Sequence, residues 1–256
     1  MKLKPLYDVK LISNGNSHFY QIGEDETYRP GVTTALSMIN KPALVQWASN
    51  TACQNIQEYL MANALDKPLT KEEIEKACLE GKNIYKKKAQ EAADIGGRVH
   101  SAIDAQIKGI LPPEFNIAGI EHPFQAFNDW KASNSLIIEL GDTKIGSKIF
   151  GYGGSLDMVA FRGSEPIIFD FKTTKKRRDR DHGIYDEYCY QLAAYAQAFY
   201  ETYGLEVKEV YALWLNKEKP EFKAVKVTNL KAAFEGFLAS LKLYNLSKFE
   251  KFEEGQ

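Results

Sequence analysis

The chain is 256 residues long, 44% hydrophobic and 12% aromatic, which is ample for a buried core and sets the scale at one large domain or two small ones. With 33 Lys and Arg against 34 Asp and Glu, the formal charge of -1 excludes the overall basic footprint of histone-like proteins, so a nucleic-acid partner would need a local patch. The cysteines Cys53, Cys78 and Cys189 are odd in number, far apart and without Cys-x-x-Cys spacing, which argues against a disulfide framework or a cysteine metal cluster and reads as reduced intracellular thiols.

The N-terminus, Met1-Lys-Leu-Lys-Pro-Leu-Tyr7, has no apolar core of signal-peptide length, and no apolar run reaches the ~18 residues of a membrane span. A soluble, cytoplasmic protein without a membrane partner is expected. Residues 6–29 alternate weakly around Asn14-Gly15-Asn16 and Gly23-Glu-Asp25, the pattern of a small β-hairpin or ribbon. From Thr33 to about Asn63, Leu36, Ile39, Leu44, Trp47, Ala48, Ile56 and Leu60 fall at helical spacing, with Pro42 at the start of a second helix. Thr70-Lys-Glu-Glu73 is a capping box that opens a further helical block, running with breaks to Gly109.

After a Pro112-Pro113 turn and a short helix around Phe124 to Ala132, the pattern changes to strands. These are predicted at Ser135–Glu139, Lys144–Phe150, Gly154–Phe161 and Pro166–Lys172. A helix over Tyr188–Tyr203, strands Val207–Leu215 and Phe222–Val227, and a last helix from Leu230 to about Tyr244 complete the chain. This order gives an α/β fold with a mixed sheet flanked by helices.

Two neighbouring strands carry charge where charge is costly. Ile167-Ile-Phe-Asp170-Phe-Lys172 sets a carboxylate and an ammonium at the end of an otherwise apolar strand, and such groups are buried only when paired or bound to a metal. Alternation along a strand points Asp170 and Lys172 to the same face, where metal ligand and catalytic cation can address one reacting group. The strand before it ends its Gly154-Ser-Leu-Asp157 with a second carboxylate, and Gln191-Leu-Ala-Ala-Tyr195 follows on a helix with Gln191 and Tyr195 on one face.

Gly96-Gly-Arg-Val-His100, Glu139, Gly153-Gly-Ser-Leu-Asp157, Asp170-Phe-Lys172 and Gln191-Leu-Ala-Ala-Tyr195 together resemble, in order and on matching predicted elements, the motif series of PD-(D/E)XK nucleases of the RecB-like branch. Within that branch the likeness is to phage-type and mitochondrial genome-maintenance single-strand exonucleases. Pro30-Gly-Val-Thr-Thr34 and Lys41-Pro-Ala-Leu-Val-Gln-Trp47 also resemble the N-terminal segment of phage-type members, with Gly31 where Ser is usual. The resemblance implies a restriction-endonuclease-like core with an N-terminal helical block: a single nuclease domain over 1–256, with a hairpin and helical extension over 1–84 and the core over about 85–250. It implies a metal-dependent DNA exonuclease acting on single strands or DNA ends, in viral or mobile-element replication or recombination, with a replication or recombination protein as partner.

Phosphodiester hydrolysis calls for a hard divalent cation, Mg2+ or Mn2+, held by few carboxylates and by water. Asp157 and Asp170 suit that role, with the backbone carbonyl of Phe171, the His100 ring and, as a further acid, Glu139. For His100 metal ligation is preferred to the alternative of a helix-surface or core histidine, whereas Glu139 reads as readily as an edge-strand charge. Asp104, four residues after His100, would orient that ring or be solvated. Lys172 would orient or deprotonate the attacking water, or neutralise charge developing on phosphorus. The resemblance further implies that Gln191 steadies Lys172 or the water and that Tyr195 contacts the phosphate backbone. An iron-sulfur cluster is not expected, since cluster-bearing relatives need four cysteines.

Lys175-Lys-Arg-Arg-Asp-Arg180 is the most basic run and follows the Asp-x-Lys strand directly. It reads as a mobile DNA-guiding loop in which Lys175, Lys176, Arg177, Arg178 and Arg180 contact backbone phosphates without reading bases. Tyr185, Tyr188 and Tyr190 are candidates for stacking on bases. An endonuclease on the same fold, a catalytically silent nucleic-acid-binding module and a helical scaffold are the competing readings.

Overall fold

The computed structural model describes residues 3–14, 17–63, 68–110 and 116–248. The turn read at Asn14-Gly15-Asn16 and the one at Pro112-Pro113 therefore lie partly or wholly outside the described residues. The chain divides into two units, one formed by residues 1–39 with 98–256 and the other by residues 40–97.

The smaller unit is helical. Its first helix, α2, spans Pro42–Asn63, and the second, α3, begins at Lys71 and continues without a break to Ile107, its last turns belonging to the larger unit. The capping box is closed in both directions. Thr70 donates its N–H to Glu73 Oε2 at 2.8 Å, and the Glu73 N–H reaches Thr70 Oγ1 at 3.2 Å. A Cβ on Gly81 would stand 2.5 Å from Ile56 Cγ1, so α3 meets the Ile56 side chain of α2 where it has no side chain of its own.

The larger unit is built on two sheets. The N-terminal ribbon is a three-stranded antiparallel sheet of β1 (Val9–Asn14), β2 (Ser17–Ile22) and β3 (Asp25–Pro30), followed by the short helix α1 (Val32–Leu36). The main sheet has five strands in sequence order: β4 (Ile137–Ser147), β5 (Tyr152–Arg162), β6 (Glu165–Thr174), β7 (Glu209–Asn216) and β8 (Phe222–Lys226). All neighbours are antiparallel except β6 and β7, which run parallel because helix α5 (Tyr188–Tyr203) crosses between them. Helices α4 (Glu121–Ala132) and α6 (Leu230–Leu246) complete the unit.

The two strands predicted at 135–139 and 144–150 are one. Gly141 reads as a break, yet it continues the β4 ladder opposite Met158, and the space a side chain would take is filled by Asp104, whose Oδ1 would lie 2.4 Å from a Cβ there. The ladder is irregular at a register shift between Ile138 and Leu140, which leaves Glu139 as the unpaired residue of a bulge.

Apolar alternation along β6 sets the layers. Ile168 is buried on the side of α5 and α6 with Leu192, Phe199, Phe237 and Leu241. Phe169 and Phe171 lie on the other side, edge-on to Trp130 and Phe127 of α4 at 4.9 and 5.6 Å between ring centres. The ribbon is tied to the main sheet by a bridge from Gly31 to Gly153 and by the Tyr7 hydroxyl, which donates to the Gly146 carbonyl at 2.8 Å.

Candidate active site

The ladder between β5 and β6 runs from the pair Arg162 and Glu165 to the pair Met158 and Phe169 and ends there. The next residues across that pair of strands are Asp157 and Asp170, so the two carboxylates mark the point where the strands part. Asp157 takes over the backbone's role. Its Oδ2 accepts the Phe171 N–H at 2.7 Å, satisfying a donor that the ended ladder would leave bare. Its Oδ1 bonds His100 Nδ1 at 3.0 Å, and the His100 ring stands edge-on to Phe171 at 5.6 Å. The last turns of α3 thus deliver His100 to the end of the ladder.

On the α5 side, Gln191 holds two groups of β6. Its Nε2 donates to Asp170 Oδ1 at 3.1 Å and to the Tyr195 hydroxyl at 2.9 Å, while its Oε1 accepts from Lys172 Nζ at 3.0 Å. Lys172 Nζ also lies 2.5 Å from Asp170 Oδ2 and 4.4 Å from the centre of the Tyr188 ring. Alternation places Asp170 and Lys172 together, and the helical spacing of Gln191 and Tyr195 sets both against them.

The glycines of Gly153-Gly-Ser-Leu-Asp157 are explained by what presses on them. A Cβ on Gly154 would stand 2.6 Å from Cε1 of Tyr195, and one on Gly153 would stand 2.3 Å from Cγ of Tyr20. The Tyr20 hydroxyl is 3.2 Å from Ser155 Oγ. Tyr20 is thus a neighbour of the site that sequence reading missed; its signal, an aromatic residue in the ribbon, does not indicate which distant strand it will meet.

The two carboxylates have been driven apart electrostatically. Burial, reinforced by the Asp157 charge and only partly offset by Lys172, pushes the Asp170 carboxyl up to about 6. Burial would also raise Asp157, but the His100 charge and hydrogen bond, with Lys172 and the Phe171 N–H, outweigh it and hold Asp157 below its usual value. Burial works against the charged forms of Lys172 and His100 as well; Asp170 foremost for the lysine and Asp157 for the histidine reverse it and raise both.

Asp170 Oδ2 is buried and accepts no aligned hydrogen bond, although the Lys172 ammonium is in ion-pair contact. A buried anionic oxygen without a hydrogen-bond donor is a suitable oxygen ligand for a hard cation. Among the described residues, no three of His, Cys, Asp and Glu converge closely enough to hold an ion by themselves. Two carboxylates completed by a main-chain carbonyl and water match the small protein share that Mg2+ takes.

Two expected neighbours lie elsewhere. Glu139 makes no hydrogen bond or ion pair with these residues and sits in the β4 bulge. Asp104 does not orient His100; its Oδ2 pairs with Lys108 at 2.7 Å and Asp157 has the ring instead.

The basic run is fastened rather than loose. The Arg177 N–H donates to the His182 carbonyl at 3.1 Å, and the buried His182 accepts the Ile184 N–H through Nδ1 at 3.1 Å. Burial, with Lys223, Arg180 and Arg177 nearby and against the pull of Asp181, keeps His182 below its ordinary value, so the ring is a neutral acceptor. Arg177 is bidentate to Asp179 at 2.9 and 2.7 Å, and Arg180 to Asp186 at 2.6 and 3.0 Å. Lys175 pairs with Glu218. Lys176 and Arg178, both exposed, have neither a hydrogen-bond nor an ion-pair partner among the described residues. The Arg177 guanidinium lies 4.7 Å from the centre of the Tyr185 ring, which is edge-on to Tyr188 at 5.9 Å.

Gly183 closes the loop against the end of β6. A Cβ there would stand 1.9 Å from Thr174 Oγ1, 2.5 Å from the Lys175 carbonyl oxygen and 2.6 Å from Trp214 Nε1. Gly183→Ala is therefore expected to cost about 1–3 kcal/mol, as overpacking does, and to lower the urea midpoint of unfolding; an unchanged midpoint would show that the loop is not closed here.

The mixed five-stranded sheet, its flanking helices and the carboxylates and lysine at the parting of β5 and β6 define a restriction-endonuclease-like α/β unit. A family model for the PD-(D/E)XK nuclease superfamily matches residues 43–254, and the chain belongs to that superfamily. It is a nuclease; the family implies DNA as substrate and generally uses divalent metals such as Mg2+. No curated protein matches the chain. Among solved structures, a crystal structure of SSO0001 aligns with 62% of this chain and 73% of its own at 9% identity and a TM-score of 0.31. An alkaline exonuclease, LHK-Exo from Laribacter hongkongensis, aligns with 59% of this chain and 82% of its own at 14% identity and a TM-score of 0.32. Both likenesses are loose, and membership rests on the family model. Among the described residues, no helix is long and apolar enough to cross a membrane.

Proposed function

We propose that this chain is a metal-dependent DNA exonuclease acting on single strands or DNA ends, serving replication or recombination of a virus or mobile element. The observation that carries the nuclease chemistry is the linked set of Asp170, Lys172 and Gln191 on one side of β6, with Asp157 and His100 at the end of the ladder. The exonuclease reading is supported by the order of motifs, which resembles that of single-strand exonucleases.

In this reading Asp157, Asp170 and the Phe171 carbonyl would hold Mg2+ or Mn2+, with the His100 ring, which is hydrogen-bonded to Asp157, as a further ligand. A cation bound there would polarise the phosphate and lower the pKa of an attacking water. The protein's own part is positioning. Asp157 is held from both sides, by a main-chain N–H and by an imidazole, so its carboxylate keeps one orientation as DNA arrives. Lys172 presents a cation where charge develops on the phosphate, and Gln191 fixes Lys172 and Asp170 with one amide. Tyr195 orients that amide through its hydroxyl and contacts the phosphate backbone only once DNA is bound. Glu139 is kept as a further acid that DNA or metal would have to recruit from the bulge.

Incubation with end-labelled linear DNA and with closed circular DNA, with and without Mg2+ or Mn2+, tests this reading. Mononucleotides released from one end with circles left intact are expected. Cut circles would replace it with an endonuclease, and retention of DNA without cleavage with a silent binding module.

The basic loop is assigned to the DNA path, with Lys175, Lys176, Arg177, Arg178, Arg180 and Tyr185 along it. Because Arg177 and Arg180 are already gripped by carboxylates, Lys176 and Arg178 should supply most of the phosphate contacts. Neutralising those two is expected to lower the log-log salt slope of single-strand binding by about 1.4, roughly 0.7 for each phosphate that keeps its counterion. Titrations at several salt concentrations on two unrelated oligonucleotides would read this; an unchanged slope would place the DNA path elsewhere.

A further inference from the structure

Lys172 has three N–H bonds and two oxygen neighbours, one an ion-pair partner and one a hydrogen-bond acceptor. Asp170 Oδ2 lies 2.5 Å from Nζ and Gln191 Oε1 accepts from it at 3.0 Å. The ammonium also sits over the Tyr188 ring, 4.4 Å from its centre. Tyr188 opens α5 three residues before Gln191, on the same face of the helix, so the first turn of one helix supplies both the amide and the ring. The ring is braced in turn. The Tyr188 N–H donates to the Tyr185 carbonyl at 3.2 Å, the Tyr185 ring meets it edge-on, and Arg177 covers Tyr185.

We propose that Tyr188 is a positioning residue whose ring face gives the Lys172 ammonium its third anchor and keeps it aimed at the scissile phosphate. The inference rests on the reading of Lys172 as the catalytic cation. A long, flexible lysine held by two oxygens alone can still swing about the line between them, whereas a ring on the third side removes that freedom and favours the charged head. The attraction resides in the π-face, so the phenol oxygen is dispensable while the ring is not. No bond is made or broken by Tyr188; it acts through Lys172.

Single-turnover cleavage by Tyr188→Phe and Tyr188→Leu, each corrected for folded fraction by thermal melting, tests this. Tyr188→Leu is expected to lower the saturating single-turnover rate constant by about tenfold with little change in the concentration that half-saturates it, in the range a partly desolvated cation–π contact supplies. Tyr188→Phe should recover most of that loss. In a Lys172→Ala background, Tyr188→Leu should produce no further loss, because the group it positions is gone. The proposal is overturned if Tyr188→Leu cleaves like wild type per folded molecule, if Tyr188→Phe is as slow as Tyr188→Leu, or if the two losses multiply in the double variant. Lys172→Ala alone separates the two levels: turnover close to wild type would remove the reading of Lys172 itself, whereas a dead Lys172→Ala beside a fully active Tyr188→Leu would remove only the role of Tyr188.

Discussion

Asp170→Asn should lose about a thousandfold or more in cleavage while making the metal-free protein more stable at neutral pH. The first half follows from removing an anionic ligand and the negative partner of the lysine. The second follows from the direction of the Asp170 shift. A carboxyl raised to about 6 by burial is one whose charged form the fold disfavours, and that net effect already includes the attraction of Lys172. Replacing it by a neutral amide removes a destabilising charge without counting the lysine contact twice. By linkage, the folded state binds the Asp170 proton more tightly than the unfolded state does. The metal-free wild type should therefore gain stability from this group as pH falls from above 6 towards the ordinary aspartate value, and Asp170→Asn should lack that rise. Urea unfolding between pH 4 and 8, with chelator, would show it; a variant less stable than wild type at pH 7 would mean that the charge is well solvated in the fold.

Lys172→Ala is the second large effect and acts twice. It removes the cation that meets the phosphate, and it leaves Asp170 in a buried position facing the Asp157 charge without its main offset, so Asp170 should hold its proton to higher pH. Cleavage at pH 7 is expected to fall by about a hundred- to a thousandfold with DNA affinity kept within a few-fold, since the basic loop is untouched. The residual activity should climb more steeply between pH 6 and 9 than that of wild type, because Asp170 must first ionise before it can hold the cation. Measured pH profiles of equal shape, or binding that falls in step with cleavage, would contradict this account of Lys172.

What could be read beforehand divides along physical lines. Features carried by local periodicity were legible: the apolar strand β6, the shared face of Asp170 and Lys172, α5 and α6, and the capping box at Thr70. The contact between Gln191 and Lys172 was implied only by resemblance, and the fold brings the two within hydrogen-bonding distance. The continuity of β4 was hidden because Gly141 looks like a break until Asp104, from a helix far earlier in the chain, is seen to occupy its space. The basic run looked like bare positive charge because a count along the sequence does not say which Asp lies against which Arg. Asp179 and Asp186 each fall within six residues of their partner, yet it takes the folded loop to set each carboxylate against its arginine. Asp157 held by His100 spans 57 residues, a pairing that no local pattern specifies.

The paired glycines of β5 have a consequence for what counts as the catalytic unit. At Gly153 and Gly154 the strand is bare backbone, upholstered by rings borrowed from a ribbon residue, Tyr20, and a helix residue, Tyr195. A fragment trimmed to begin after the ribbon would keep every acid and the lysine but take the Tyr20 ring from Gly153 and deprive Ser155 of its phenol neighbour. The ribbon is thus a lining of the site, and the smallest fragment able to keep the site's geometry has to retain it.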